Sequence, residues 1–335
     1  MGPLRRAAGP VALTEQLRLD PAASADALAP PDAPAIPLGE GSGLDKHLRV
    51  DLLRQEREIA RKYYDIGQTI RWKYVMATLL GFAVWVSLFP LTIIGVMPLW
   101  AAFIISYLLT TAGYVTAHEA MHSTIGRQGT KARFWNELTG QLSMVPLMFP
   151  FSIARVTHLQ HHKFPNDPVR DPDYPDGAPH LRAALWKAWL NRQPGKTAQV
   201  HHIKRVLLEE IGTPEAKRAL KETVLAQLAG TLFFIGMALA GYAMEVAMVW
   251  WLPRWLGLIH THVFFSWETH HPQSGTGRYD NTRIFKSSVG SFLSMWIEFH
   301  LIHHLYPNIP MHLTKQAYFE MKPLLAKRGV DVSAH

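Results

Sequence analysis

Residues 74–126 read YVMATLLGFAVWVSLFPLTIIGVMPLWAAFIISYLLTTAGYVTAHEAMHSTIG, a stretch that contains no Lys, Arg or Asp. Its single acidic residue is Glu119. About 20 apolar residues cross the hydrocarbon core of a bilayer. The stretch therefore predicts two membrane-crossing helices, at residues 74–93 and 98–117, joined as a hairpin.

A second apolar block covers residues 223–267 and predicts another hairpin, with its turn at the Trp-Leu-Pro-Arg sequence of residues 251–254 and a short second arm. Four crossings place both termini on the same side of the membrane. Residues 127–221 carry 15 Lys and Arg, and such basic segments face the cytoplasm. We therefore expect this segment and both termini to be cytoplasmic, in an inner or plasma membrane. The net charge of +8 reflects this topology, and we expect no nucleic-acid binding.

The remaining segments differ in composition. Residues 1–44 are rich in Ala, Pro, Gly and Asp, which predicts a disordered N-terminal tail. Residues 45–72 mix charges with regularly spaced apolar residues, which predicts an amphipathic helix at the membrane interface or, alternatively, a solvated connector. Residues 73–325 form the predicted membrane domain, within which residues 138–153 are apolar but too short to span. Residues 326–335 are a predicted C-terminal tail, and no signal peptide is expected.

Eight of the 18 histidines fall in three clusters with helical spacing. Positions i, i+3 and i+4 share one face of a helix, so each cluster predicts a face of imidazoles that could chelate a metal. Each cluster also lies on the predicted cytoplasmic side, so we expect all three to meet at one site at the membrane surface. The clusters are HEAMH with His118 and His122, HLQHH with His158, His161 and His162, and HLIHH with His300, His303 and His304.

The HEAMH sequence alone is also the pattern of a zinc protease, in which Glu119 would be the general base. A catalytic zinc ion needs three protein ligands and one open position, whereas eight clustered histidines fit two metal ions better. The chain has no cysteine, so any metal must be held by histidine or carboxylate, a set that suits iron or copper. Glu119 points about 100° away from His118 on a helix, so we expect it to support a ligand imidazole by a hydrogen bond. An intramembrane zinc protease and a histidine-rich metal transporter remain the alternatives.

The three clusters, in this order and flanked by membrane hairpins, resemble the histidine boxes of the membrane fatty acid desaturase superfamily across roughly residues 72–325. The sequence SWETHHPQSGTGRYDNTRIF at residues 266–285, followed by HLIHH, is similar to the beta-carotene hydroxylase-like branch. In that branch a Trp-Leu-Pro-His-His-Pro segment and an Arg-Tyr-x-x-Thr-Arg segment precede the last box. Here Glu268 and Thr269 replace Leu-Pro.

The resemblance implies an all-α integral membrane protein, with about four transmembrane helices in two hairpins and a cytoplasmic helical cap that holds a histidine-rich dimetal site. It further implies two iron ions, dioxygen as co-substrate, and hydroxylation or desaturation of a carotenoid-like or fatty acyl lipid, with a slight preference for hydroxylation. Electrons would come from a separate donor of the ferredoxin or reductase type.

The resemblance also bears on histidines outside the boxes. The family supplies one further ligand before the last box, a place that His270 or His271 would fill. His260 and His262 lie in a predicted crossing and are expected to be packing or channel-lining residues. Asp167 and Asp171 lie near the second box, where they would either orient imidazoles or belong to a solvated loop.

Overall fold

The computed structural model describes residues 44–64, 70–193, 197–287, 290–292 and 294–335, and within them all regular secondary structure is helical. The α-helices are α1 Lys46–Tyr63, α2 Trp72–Ile93, α3 Leu99–Met121, α4 Arg133–Met144, α5 Phe151–Lys163, α6 Leu181–Leu190, α7 Ala198–Arg205, α8 Pro214–Leu239, α9 Ala243–Val246, α10 Leu252–Thr261, α11 Glu268–His270, α12 His300–Leu305 and α13 Met311–Lys327. Short 3₁₀ turns lie at Tyr174–Asp176 and Ile297–Phe299, and π-helical turns at Val206–Ile211, Ala247–Trp251 and His262–Trp267.

The first predicted hairpin is present as α2 and α3, both long and apolar enough to cross a membrane. Helix α3 begins directly after Pro98, where the missing N–H of proline costs no helical hydrogen bond. It ends only at Met121, four residues beyond the predicted crossing. The last turn of α3 therefore carries the first histidine of the HEAMH sequence.

The second hairpin has its turn in a different place from the one predicted. Helix α8 is the third helix in the described residues that is long and apolar enough to cross a membrane. It reverses at Gly241, whose φ of 92° favours glycine. Successive α and π turns then run from Ala243 to His270 without a break at residues 251–254. That predicted turn was wrong because Pro253 lies in the first turn of α10, where proline is tolerated.

Helices α4 and α5 pack against α3. Residues 138–153, which are apolar but too short to span a membrane, are largely buried there: Met144, Leu147 and Phe151 pack in one cluster with Ala117 and Met121. Burial of this kind of apolar side chain contributes about 1.5–3 kcal/mol each. This packing brings the second histidine box close to the first.

Helix α1 lies within the segment at residues 45–72, for which an amphipathic helix was predicted, and it packs against α13. The two helices are joined by an ion pair between Lys62 and Glu320, at 2.7 Å. Residues 65–69 and the predicted disordered tail at residues 1–43 lie outside the described residues, and the interfacial location of α1 stays a prediction. The last ten residues, predicted as a tail, fold back so that His335 contacts the carbonyl of Phe285 at 2.8 Å.

Candidate metal centre

Histidines from four separate elements converge at the end of the first hairpin. His118 lies in the last turn of α3, and His122 caps that helix. Helix α5 carries the second box, α11 ends at His270, and α12 is the third box. The predicted meeting of the three boxes is therefore present in the fold.

Nine of the ten histidines that the sequence singled out fall into two groups, and in each group the imidazole nitrogens lie within 4.8 Å of one another. We name them the first and the second histidine group. The first consists of His118, His122, His158, His162 and His303, and the second of His161, His270, His300 and His304.

The second and third boxes each contribute to both groups, which corrects the expectation that a box points in one direction. In the second box, His158 and His162 belong to the first group and His161 to the second. Residues i and i+4 lie 40° apart around a helix, whereas residue i+3 is turned by 60° to the other side. The third box follows the same rule with the groups exchanged, since its i+3 residue, His303, joins the first group. Both groups therefore depend on both helices.

The spacing of the nitrogens fits shared metal ions. Nε2 of His158 lies 2.8 Å from Nε2 of His122 and 3.1 Å from Nε2 of His162. Nε2 atoms of His161 and His270 in the second group lie 3.1 Å apart. Two nitrogens bound at about 2.1 Å to one ion, at right angles, are about 3.0 Å apart. The rings are thus already near the separation that a common ion requires.

Several ring nitrogens are buried without a hydrogen-bond partner among the described residues. They include both nitrogens of His118 and of His300, Nδ1 of His303 and Nε2 of His304. A buried polar atom without a partner costs about 1–3 kcal/mol, and a bound cation would remove that cost.

Burial also keeps most of these imidazoles neutral, as metal ligands must be. It lowers the pKa of six histidines well below the ordinary value, with neighbouring imidazoles adding to the effect. They are His122, His158, His162, His300, His303 and His304. Burial and the nearby His161 lower the pKa of His270 to about 3. The lone pairs of these rings are consequently free to bind a cation.

His161 is the exception, because its Nδ1 lies 2.9 Å from Oδ1 of Asp171. Burial lowers the pKa of His161, but the Asp171 carboxylate outweighs burial and raises that pKa to about 9. The other oxygen of Asp171 accepts the backbone N–H of Asn166 at 2.7 Å. The carboxylate therefore fixes the ring with Nε2 turned towards the second group. Asp167, the other carboxylate weighed from the sequence, instead binds Arg170.

His270, also in the second group, is oriented by a backbone carbonyl that the sequence did not indicate. Nδ1 of His270 lies 2.9 Å from the carbonyl oxygen of Asn281. The side-chain amide of Asn166 donates to that same carbonyl and to the carbonyl of Gly275, at 2.8 Å each. Asn166 thus ties the loop after the second box to the loop after His270. A backbone carbonyl is present in every residue, so no sequence pattern could have identified this hydrogen-bond acceptor.

The other histidines near the site lie outside the two groups. His271 stacks on Trp267 with ring centroids 4.8 Å apart. His260 contacts the hydroxyl of Tyr107 at 2.8 Å, and His262 lies 3.2 Å from a carboxylate oxygen of Asp176. The contacts of His260 and His262 fit the packing role expected of them.

Glu119 is buried at the end of α3, and its carboxylate binds two donors other than histidine. One oxygen accepts the backbone N–H of Met311 at 2.6 Å and the other the hydroxyl of Thr124 at 2.5 Å. Glu119 thus holds the first residue of α13 against α3, whereas a hydrogen bond to an imidazole was expected. The difference arises because the side chain points away from His118, as helix geometry requires, and meets the start of α13 there.

A cavity of about 680 Å³ lies beside the second histidine group. His161 and His270 form part of its wall, together with Asp173, Tyr174 and Trp267. Cavities that bind small organic ligands have about this volume. The second group is therefore next to space that could admit a reactant.

Comparison with known proteins places this arrangement in a family. The model of the family described as fatty acid desaturase matches residues 94–334, which include all ten histidines. An sn-1 oleoyl-lipid 12-desaturase from Picosynechococcus is 25% identical over 83% of this chain and 84% of its own length. A dihydrorhizobitoxine desaturase from Bradyrhizobium elkanii is 26% identical over 60% of this chain, and the chain spans 61% of that enzyme. A zeaxanthin 4-ketolase from Chlamydomonas reinhardtii is 35% identical, but over only 24% of this chain and 17% of its own. With its membrane helices and its two histidine groups, the chain belongs to the fatty acid desaturase family.

Proposed function

We propose that this protein is a membrane-bound di-iron oxidoreductase that uses dioxygen and external electrons to oxidise a C–H bond of a lipid. The observation that carries the proposal is the pair of adjacent histidine groups, with nine buried or partly buried imidazoles and almost no carboxylate. One ion would be held by each group. Two redox-active iron ions would supply the one-electron chemistry that activates dioxygen.

The residues around the two groups hold the ligands in place. Asp171 accepts Nδ1–H of His161, and the carbonyl of Asn281 accepts Nδ1–H of His270, so Nε2 of each ring is the nitrogen that would bind an ion. Beside the first group, the centroid of the Phe265 ring lies 6.2 Å from that of the His118 ring. These contacts favour binding of two cations with little rearrangement of the protein.

The surroundings of Glu119 argue against a zinc protease. A general base must reach the water that it deprotonates, but both oxygens of Glu119 accept hydrogen bonds from Thr124 and Met311. A protease would also leave six of the eight boxed histidines without a role. Metal transport is disfavoured too, because the ligands gather in one compact centre, whereas a path would spread them along the crossings.

The relatives that align with most of the chain include a lipid desaturase, which supports acyl-chain desaturation. The likeness to the ketolase covers about a quarter of the chain. Together with the Arg-Tyr-x-x-Thr-Arg sequence at residues 278–283, it supports hydroxylation of a carotenoid-like substrate. Both reactions begin by removal of one hydrogen. Because the desaturase aligns with 83% of the chain and the ketolase with 24%, we propose desaturation as the first candidate and hydroxylation as the second.

The remaining parts of the proposal concern the membrane and the electron source. The basic residues of the segment at residues 127–221 favour four crossings with the histidine groups and both termini in the cytoplasm of an inner or plasma membrane. The lipid would then enter from the bilayer. The chain has no cysteine for an iron–sulfur cluster, which supports a separate ferredoxin or reductase as electron donor.

Metal analysis of the purified full chain tests the proposal, with a count of two irons per chain expected. One zinc ion per chain, or a load that varies between preparations, would contradict it. Lipid and pigment profiles of a host expressing the chain then separate the two reactions. A new double bond in acyl chains indicates the desaturase, and a new hydroxyl group on carotenoids indicates the hydroxylase, while a host expressing His303→Ala should show neither product.

A further inference from the structure

Glu56 lies in the middle of α1, a helix that precedes the part of the chain matched by the family model. Its side chain is fully buried. Burying a carboxylate is costly unless it is paired and hydrogen-bonded. The buried carboxylate of Glu56 therefore needs a cationic partner and hydrogen-bond donors.

Three side chains from distant parts of the sequence meet this carboxylate. Arg328, at the end of α13, forms an ion pair with one oxygen through Nε. The hydroxyls of Tyr279 and Tyr306 donate to the other oxygen at 2.9 and 3.2 Å. We name these four residues the Glu56 cluster.

Tyr306 connects the Glu56 cluster to the third histidine box, because it is the residue that caps α12. Helix α12 has only six residues, and a helix that short has no stability of its own. Its last carbonyl, at Leu305, accepts a hydrogen bond from Arg278 at 3.1 Å, and the guanidinium of Arg278 lies 5.3 Å from the centre of the Tyr306 ring. The direction of the imidazoles on α12 thus depends on how the helix end is held.

Helix α13 links the Glu56 cluster to the first histidine box. Its C-terminal cap, Arg328, belongs to the Glu56 cluster, and its first residue, Met311, donates its N–H to Glu119 beside His118. The two carboxylates therefore hold opposite ends of one helix. The third box lies immediately before that helix and contributes to both histidine groups.

We propose that Glu56 is a positioning residue of the metal centre, which sets the direction of the third histidine box through Tyr306 and α13. This inference rests on the proposed di-iron function. It assigns to α1, which lies outside the family match, a role in holding two metal ions at the correct separation.

The test compares Glu56→Gln and Tyr306→Phe with Glu58→Gln, a matched control at an exposed position of the same helix. The full chain is purified in each case, and its affinity for iron(II) is measured by competition with a chelator. We expect Glu56→Gln and Tyr306→Phe to bind the more weakly held iron roughly 10–100-fold less tightly, as for other groups that support metal ligands. The control should match the parent chain. Since Tyr306→Phe removes a single hydroxyl, it still decides the question if Glu56→Gln fails to fold.

A double variant, Glu56→Leu with Arg328→Met, separates positioning from stability. Replacing both partners of a buried ion pair by apolar residues is often neutral for stability. The hydroxyls of Tyr279 and Tyr306 still lack their acceptor in this variant. We therefore expect it to regain part of the unfolding temperature that Glu56→Gln loses, but none of the iron affinity. Parent-like iron affinity in the double variant, or in every single variant that folds, would overturn the inference. If the parent chain itself does not bind two irons, the di-iron function is what has failed.

Discussion

Nδ1 of His161 lies 2.9 Å from Oδ1 of Asp171, and both side chains are buried. The same Asp171 oxygen accepts the N–H of Asp173, and its other oxygen accepts the N–H of Asn166. The imidazole lowers the pKa of Asp171 although burial raises it, so the carboxylate stays charged beside the ring. A charged acceptor on Nδ1 makes Nε2 a better metal ligand.

We expect Asp171→Asn to weaken iron binding at the second histidine group about 10–100-fold. Asparagine keeps the shape and one acceptor oxygen, but it loses the charge that makes His161 basic. Iron affinity by chelator competition is the measurement. Asp167→Asn is the matched control, because Asp167 binds Arg170 and backbone N–H groups of its own loop. Equal affinities in the two variants would remove Asp171 from the support of the centre.

The pair His270 and His271 should respond asymmetrically to alanine substitution. His270 belongs to the second histidine group and is held by the carbonyl of Asn281, whereas His271 stacks on Trp267 outside both groups. We expect His270→Ala to lose about half of the bound iron, since one of two ions loses a ligand, and His271→Ala to keep nearly all of it. Iron quantitation of the purified variants is the measurement. Full retention in both would confine the ligands to the three boxes, and loss only in His271→Ala would reverse the assignment.

Glu119→Gln should affect stability more than metal content. The glutamine oxygen can accept the N–H of Met311, and its N–H₂ can donate to the Thr124 hydroxyl, which then donates to the backbone carbonyl of residue 119. The neutral amide makes weaker hydrogen bonds than a carboxylate, by about 1 kcal/mol, so we expect a lower free energy of unfolding, with iron retained and activity reduced but measurable. In contrast, His122→Ala removes a member of the first histidine group and should lose metal. Unchanged iron in His122→Ala would exclude the first box from the centre.

Removing the metal should destabilise the parent chain. The ring nitrogens of His118 and His300 are buried without a hydrogen-bond partner among the described residues, and a bound cation would supply one. A ligand that binds only the folded state stabilises it by about 2.7 kcal/mol at a concentration of 100 Kd. Dialysis against a strong iron chelator should therefore lower the unfolding temperature, and readdition of iron(II) should restore it. An unfolding temperature that does not change on iron removal would contradict metal binding at these groups.

The sequence predicted the parts of the fold that depend on local pattern. The run at residues 74–126 has no Lys, Arg or Asp and is long enough for two membrane-crossing helices, and α2 and α3 match it. The histidine spacing identified eight of the nine residues that meet in the two groups, because helical periodicity brings such residues to neighbouring positions. The ninth, His270, was indicated only by the family resemblance, as one of a pair with His271.

Tertiary contacts explain what the sequence did not predict. Proline usually ends a helix, yet Pro253 follows a π turn and the chain stays helical past it. Glu119 binds the backbone of a residue 192 positions away, and His270 binds a carbonyl. Neither partner has a side-chain signature, so no local pattern could have indicated it. Glu56 carries no motif at all, and only its burial beside Arg328 marks it.

The predicted topology can be tested with single cysteines, because the parent chain has none. Val200 on α7 and Ser333 near the C-terminus are exposed, and Val96 in the turn between α2 and α3 is exposed as well. If the basic segment faces the cytoplasm, a membrane-impermeant maleimide should label Val96→Cys in intact cells, and label Val200→Cys and Ser333→Cys only after the membrane is opened. Labelling of Ser333→Cys from outside, with Val200→Cys protected, would mean that the arm at residues 243–270 does not cross. The third box would then lie on the opposite side from the second, which contradicts the shared groups that both boxes form.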